Sequence, residues 1–479
     1  MHRTVVCAAL LLALGASPAS AGPVEALNGV FINPKNPKNL ALRYLNGGGG
    51  MLLSDDAGKS FRLLCNTGVD PQVGRDASAM MMRADGSLLL GVFDGLWAGD
   101  DNACGWAKVP AFEGQWVDDF TLDPLDPSIT YAITSAGGNQ NGIYQNDGKS
   151  AAWTALGTQD AILIGRLHVV ALGSGKRRIY ESAVRGTYDS VDPTTGQMIS
   201  DPKYVIRISD DAGKTWTEHE FGHTDGSLRL LAVDPQNPDR IVVTVQRGDS
   251  TAPDDMAPDD LLWSATQGSA GSFKLIGQVT QIGGASFAPD GRLFYGDINQ
   301  STPALYALGR LGDKPKQLSY PHKAGCVTYD AQTSQLYVCQ ARLLGTVDPS
   351  TGAFKQLYDL TKASSFVECK GQAPTADRCQ EQLIMAFCGI THFPDAPVCA
   401  GYGLVTDAGS GRASTSDAAV SSNDAGAARP AASKSGGGGC TTIVLGGRRA
   451  PWAVLTLTFW FASATLRARG RSVGRKSQV

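Results

Sequence analysis

A strand, a turn built on Asp-Pro or Asn-Pro, and a second strand recur along this chain. That unit constrains the fold more than any other feature. Val30-Phe31-Ile32-Asn33-Pro34 leads to Asn39-Leu40-Ala41-Leu42, Phe120-Thr121-Leu122-Asp123-Pro124 to Thr130-Tyr131-Ala132-Ile133, and Leu231-Ala232-Val233-Asp234-Pro235 to Arg240-Ile241-Val242-Val243. Asp or Asn before Pro starts a turn, and Pro cannot donate to a strand ladder. Weaker copies lie around Arg83, Ala171, Ala288 and Asp330, which makes seven between residues 28 and 363. Their spacing of roughly 40 to 60 residues is the period of a four-stranded blade. The expectation is an all-β chain in which residues 22–363 form a β-propeller of about seven blades. The 57 glycines and 24 prolines suit many tight turns, and the net charge of −3 offers no basic surface for nucleic acid.

A second signature sits later in two repeats. Ser54-Asp55-Asp56-Ala57-Gly58-Lys59-Ser60-Phe61 and Ser209-Asp210-Asp211-Ala212-Gly213-Lys214-Thr215-Trp216 are nearly the same string. Degenerate copies run through Asn146-Asp147-Gly148-Lys149 with Trp153, and from Ser264 to Phe273. The form Ser-x-Asp-x-Gly-x-Ser/Thr-aromatic resembles the Asp-box, or bacterial neuraminidase repeat, shared by sialidases, some glycoside hydrolases and sortilin-type propellers. The resemblance implies a structural role for Ser54, Asp56, Gly58, Ser60 and Phe61, and for Ser209, Asp211, Gly213, Thr215 and Trp216, in hairpin turns remote from the ligand face. The Asp carboxylate accepts backbone N–H groups, the Gly permits a positive φ, and the aromatic ring packs the turn onto its blade. Asp55, Asp56, Asp210 and Asp211 supply too few oxygens for calcium, so no metal and no cofactor is expected.

The resemblance raises two enzyme readings. Sialidases of this group carry an arginine triad whose first member lies in Arg-Ile-Pro, together with a Tyr nucleophile, its Glu partner and an Asp acid/base. Arg-Ile-Pro does not occur here, and the first repeat has no Arg before Arg43. Xyloglucanase-type hydrolases need two carboxylates facing across a cleft. Asp118 or Asp119 offers one, and no partner is evident. Gly-x-Ser-x-Gly, His-Glu-x-x-His and phosphate-loop motifs are missing as well. The leading expectation is a binding or adhesion module for glycan or protein ligands, with an Asp-box glycoside hydrolase as the alternative. Register locates the ligand. Counting five residues back from each turn position gives Asn28, Ser78, Asp118, Arg166, Arg229, Gly283 and Gly325. The first strand of a blade is innermost, so these residues should ring one mouth of the channel. Asp118, Arg166 and Arg229 are then the candidate ligand-binding residues, since two arginines grip a carboxylate or sulfate bidentately.

The two ends of the chain speak of export. A basic start at His2 and Arg3, an apolar Val5–Leu14 and a small-residue Ala19-Ser20-Ala21 form a signal peptide over residues 1–21. Export permits disulfides. Of the 10 cysteines, Cys326 and Cys339 flank a hairpin and are expected to pair across it. Cys369, Cys379, Cys388 and Cys399 are expected to form two bridges within a compact appendage over residues 364–403, which leaves Cys65 with Cys104. His392 lies in that appendage and reads as a surface residue, since the Cys spacing does not fit a zinc site. Residues 404–439, mostly Ala, Ser, Gly and Asp, form a flexible linker. Over residues 440–479 a Gly run meets Cys440, an apolar stretch runs from Pro451 to Leu466, and an Arg-rich end follows. This order of parts resembles the MYXO-CTERM sorting signal. It implies a sorting protease acting near Cys440, a membrane anchor through the helix or through lipid on that Cys, and delivery to the cell surface or outer envelope.

Overall fold

Alternate residues of a strand point to opposite faces, and here several strands are buried on both faces. In Leu88–Val92 and in Thr130–Thr134 every residue is buried. Such strands are covered on both sides, and the arrangement that covers them is a ring of sheets. The computed structural model describes residues 27–379 and 397–399, apart from 45–49, 70–76, 137–139, 161, 186–189, 192–197, 200–202, 222–226, 247–257, 299–303, 341, 376 and 378. The signal segment, Cys388, His392, the linker, Cys440 and the C-terminal apolar stretch lie outside the described residues. Among those residues no helix is long and apolar enough to cross a membrane.

Seven antiparallel sheets follow one another along the chain. Blade 1 is β1 (Leu27–Ile32), β2 (Leu40–Tyr44), β3 (Gly50–Ser54) and β4 (Arg62–Cys65). Blade 2 is β5 (Ala77–Met82), β6 (Leu88–Val92), β7 (Gly95–Gly99) and β8 (Ala107–Lys108). Blade 3 is β9 (Val117–Leu122), β10 (Thr130–Thr134), β11 (Asn141–Asn146) and β12 (Thr154–Asp160). Blade 4 is β13 (Leu163–Ala171), β14 (Arg177–Arg185), β17 (Lys203–Ser209) and β18 (Thr217–Glu220), with the small hairpin β15 (Ser190–Val191) and β16 (Met198–Ile199) between its second and third strands. Blade 5 is β19 (Ser227–Val233), β20 (Ile241–Gln246), β21 (Asp259–Ser264) and β22 (Lys274–Val279). Blade 6 is β23 (Ile282–Phe287), β24 (Leu293–Asp297), β25 (Ala304–Leu308) and β26 (Lys316–Gln317). Blade 7 is β27 (Cys326–Asp330), β28 (Gln335–Gln340), β29 (Leu343–Val347) and β30 (Phe354–Asp359). The first strands contact one another in sequence order, and β27 returns to β1. The expected seven-bladed propeller is therefore what forms.

The core is divided among the blade interfaces. Leu40 and Leu42 pack into the cluster between blades 7 and 1, while Ala41, one residue along, packs into the cluster between blades 1 and 2. Val243 and Val242 divide in the same way between the interfaces on either side of blade 5. Each repeat contributes half of two cores, so no blade is stable alone.

The turns explain the sequence signatures. Buried Asn33, Asp123 and Asp234 accept backbone N–H groups two residues on, from Lys35, Leu125 and Gln236, each at 2.8 Å. Backbone bonds close these turns, from Asn33 N to Asn39 O, Asp123 N to Ile129 O and Asp234 N to Arg240 O, and in the fourth repeat the closing bond runs from Leu172 N to Lys176 O. The turn position there is Leu172, one residue beyond the expected Ala171, because the repeat lacks the Asp-Pro that marks it elsewhere. The two Ser-Asp-Asp-Ala-Gly-Lys segments fold as matching turns. Ser54 Oγ donates to Asp56 Oδ1 at 2.8 Å and accepts from Gly58 N at 2.9 Å, and Ser209 repeats this with Asp211 and Gly213, both at 2.8 Å. Gly58 and Gly213 sit at φ of 82° and 81°, where a side chain would be strained. Phe61 is buried against Tyr358, and Trp216 lies under the guanidinium of Arg207.

The cysteine pairing departs from expectation in two of the three bridges described. Cys326 pairs with Cys339 across β27 and β28 as expected. Cys65 does not pair with Cys104: it pairs with Cys379, and Cys104 pairs with Cys369. Cys399 is also disulfide-bonded. The reason lies in the path of the chain after blade 7. A short β31 (Ser365–Phe366) adds to the outer edge of blade 1, parallel to β4. The chain then crosses blades 1 and 2, which brings Cys369 and Cys379 to cysteines 265 and 314 residues away.

Candidate binding site in the central channel

The inner strands are not regular. The register of β1, β5, β9, β13, β19 and β23 each slips by one residue, at Asn28, Ser78, Asp118, Gly165, Leu231 and Gly283. A bulge of this kind adds twist and re-aims the neighbouring side chain. Asn28, Ser78, Asp118 and Gly283 are themselves members of the counted series. Gly283 and Gly325 have a steric role. A Cβ on Gly283 would lie 1.9 Å from Ala324 O, so blades 6 and 7 approach here backbone to backbone.

A cavity of about 480 Å³ occupies the channel, and its lining includes Arg43, Asp119, Arg166, His168, Arg229, Gly283 and Gly325. Arg166 and Arg229 thus come to one cavity. Asp118 does not line it. The bulge passes that place to Asp119, whose Oδ1 lies 3.3 Å from Arg166 Nη1 and whose Oδ2 accepts the backbone N–H of Leu167 at 3.0 Å. Asn28 and Ser78 lie in the strands β1 and β5, and their side chains are outside the description. Arg43 and His168 were missed. Arg43 comes from β2, where counting along first strands cannot find it. Its signal was a lone charge in Leu40-Ala41-Leu42-Arg43-Tyr44. His168 shares a face of β13 with Arg166, two residues away.

The electrostatics are lopsided. Three guanidinium groups line the cavity, against Asp119 as the carboxylate among the described residues. Burial, and then the neighbouring Arg166, push the Arg43 guanidinium down to about 10, opposed by Asp118 and Asp119. Burial and then Asp119 push the Asp118 carboxyl up to about 6, opposed by Arg166 and Arg43. Burial pushes the His168 imidazole down to about 4, with Asp119 opposing and Arg166 assisting. Among the described residues Arg229 makes no ion pair or hydrogen bond through its side chain, and no group of three or more His, Cys, Asp or Glu is placed to hold a metal ion. Such an arrangement attracts anions and holds planar oxyanions by paired N–H donors.

The fold and this channel define a seven-bladed β-propeller with a cationic axial cavity. No protein-family model matches the chain, and no curated protein matches it in sequence. Among solved structures it is similar to the GH74 enzyme of Niastella koreensis, at 14% identity over 72% of this chain and 66% of that one, with a TM-score of 0.38. It is similar to the GH74 xyloglucanase of Xanthomonas campestris at 14% over 68% and 51%, with a TM-score of 0.41. The propeller domain of the Trilobed protease of Pyrococcus furiosus is similar at 14% over 70% and 97%, with a TM-score of 0.42. The chain spans less than two thirds of either GH74 protein. No activity or ligand passes from these proteins to this chain.

Proposed function

We propose that this chain is an exported, surface-anchored binding module that takes glycan or protein ligands at the channel mouth of its propeller. The observation that carries this reading is the axial cavity, where Arg43, Arg166 and Arg229 face a single lining carboxylate among the described residues. An acidic group on a ligand supplies a counter-charge for Arg229, whereas Arg43 and Arg166 already lie beside Asp118 and Asp119. The matching turns at Ser54 and Ser209 support placing the chain among Asp-box propellers, in which ligand chemistry stays apart from those turns. Disulfides that span blades support maturation in an oxidising compartment, in keeping with a signal peptide over 1–21. The order of Gly run, Cys440, apolar stretch and Arg-rich end supports sorting of the MYXO-CTERM type, with a sorting protease and the membrane as partners. Glycoside hydrolysis would need two carboxylates facing across a cleft. Asp118 and Asp119 are consecutive on β9, and of the two only Asp119 lines the cavity.

The test is to screen acidic glycans and surface extracts against the purified protein and its Arg229→Ala variant. Arg229 is the better choice of arginine, because Arg166 is tied to Asp119. A charge-assisted hydrogen bond contributes about 1.5 to 3 kcal/mol, so the variant should bind at least tenfold more weakly. Equal binding by both proteins would remove the channel from the account.

A further inference from the structure

Two aromatic rings meet on the rim of the channel, and neither belongs to the apolar clusters between the blades. Phe93 follows β6 at its turn into β7, and Trp116 immediately precedes β9. Their ring centroids are 4.6 Å apart and the planes are inclined at 46°. Phe93 is 43% exposed, and Trp116 is half-buried. Blade packing brings the two together. A Cβ on Gly91 would lie 2.5 Å from Val117 O, so β6 and β9 approach backbone to backbone and the residues just beyond them converge. Hydrogen bonds then hold the pair in place. Gly114 N donates to Asp94 O at 3.0 Å, and Ser135 N donates to Trp116 O at 2.9 Å. Lys108 Nζ lies 3.0 Å from Asp94 Oδ2, and the Tyr144 hydroxyl donates to Gln115 Oε1 at 3.2 Å. A surface ordered in advance loses little freedom when a ligand covers it.

The rings adjoin the cavity on two sides. Trp116 is three positions from Asp119, which lines the cavity, a separation of up to about 10 Å along a strand. Ser135, bonded to Trp116, accepts Ile164 N on its hydroxyl at 3.1 Å, two residues before Arg166. Val92, next to Phe93, pairs with Ala77 at the start of β5, and Ala79 of that strand lines the cavity. Within the cavity Arg43 and Arg166 lie beside Asp118 and Asp119. Arg229 is the lining cation that has no ion pair among the described residues.

We propose that Phe93 and Trp116 form a sugar-stacking subsite on the channel rim, and that the ligand of this face is a chain of uronic acids. The proposal rests on the channel being the ligand site. One carboxylate enters the cavity toward Arg229, whose guanidinium matches it bidentately. A neighbouring sugar ring lies on the aromatic pair. A pyranose has a face of C–H groups and an edge of hydroxyls. The rings match the face, and Gln115, Asp94 and Lys108 offer donors and acceptors to the edge. The separation of up to about 10 Å between the rings and the cavity wall is one that a chain of sugars bridges. An acidic peptide supplies the carboxylate but no flat apolar face to cover both rings.

Calorimetry and tryptophan fluorescence of the full-length protein test this with hexagalacturonate, hexamannuronate, free galacturonate, fully methyl-esterified hexagalacturonate and polyglutamate. At least one acidic hexamer should bind about tenfold or more tightly than free galacturonate, because its two anchors act together, and should change the tryptophan emission. The methyl ester should lose most of that affinity. Arg229→Ala should weaken hexamer and monomer alike. Phe93→Ala should weaken the hexamer by about three- to tenfold, with at most a fraction of that effect on the monomer. Trp116→Phe should remove the emission change. Hexamer binding that depends on Arg229 but ignores both Phe93→Ala and Trp116→Phe overturns the stacking subsite and leaves the channel reading standing. Polyglutamate bound as tightly, with the same dependence on Phe93, overturns the sugar assignment in favour of an acidic peptide. Failure of both acidic hexamers to bind, or equal binding of the methyl ester, overturns the uronate chain. Binding that ignores Arg229→Ala fails the underlying reading instead.

Discussion

Asp118 pays for its position. Burial and the adjacent Asp119 hold its carboxyl at about 6, above the value of about 3.8 from which it starts. The folded protein therefore holds this proton more tightly than the unfolded chain does. The stability this gives is fully present below about pH 4 and is lost as pH rises through 6. Replacement by an uncharged isostere removes the cost of the buried charge. Asp118→Asn should stabilise the protein by up to about 3 kcal/mol at pH 7.5, with the gain shrinking toward zero near pH 4. Urea unfolding at the two pH values measures it, and a gain of equal size at both would mean that titration of Asp118 is not the cause. The turn aspartates have the opposite sign. Hydrogen bonds, from the Ser60 N–H and hydroxyl at Asp56 and chiefly from the Thr215 hydroxyl at Asp211, hold both carboxyls near 2, against opposing burial that at Asp56 is the largest single influence. Their contribution is present at neutral pH and is lost as pH falls through that value.

At the scale of elements, the ring closes with a late strand, β31, added to the outer edge of the first blade. Blade 1 is made of four consecutive strands, and blade 7 of four others. The seam between them relies on side-chain packing, with Tyr337, Leu344 and Tyr358 against Leu27, Leu40 and Phe61, and on the strand β31 that follows blade 7. The Cys65–Cys379 and Cys104–Cys369 bridges fasten that returning chain to blades 1 and 2. Loss of a native disulfide costs about 2 to 5 kcal/mol. Cys379→Ser should lower the melting temperature, and hydrogen exchange should rise first in β1, β2 and β28. Faster exchange confined to blades 3 to 5 would refute the clasp. The number of blades was legible in the sequence because four repeats write the same Asx turn, at Asn33, Asp123, Asp234 and Asp330, and the weaker copies fall at the same spacing between them. The clasp was not, because nothing near Cys65 reports on a residue 314 positions away. The bulges were hidden for a related reason. A slip of one residue at Asp118 leaves the string Val117-Asp118-Asp119-Phe120 unchanged, yet decides which Asp meets the channel.

The whole molecule sets charge where seven strands converge. Residues far apart in sequence, from Arg43 to Gly325, reach one cavity because every blade offers its innermost strands to the same axis. Blades 6 and 7 bring glycines there, and that close approach of backbones leaves the charged side of the cavity to blades 1, 3, 4 and 5. A ring whose axial cavity is lined by three arginines is suited to capturing acidic groups. The most direct test is to soak crystals of the protein with selenate at about pH 5.5, below the titration of Asp118, and to map the anomalous scattering of selenium. The account predicts a peak in the axial cavity within hydrogen-bonding distance of Arg229 and Arg166, absent from crystals of Arg229→Ala. Selenium found only on the outer surface, with the channel empty at saturating selenate, would contradict it.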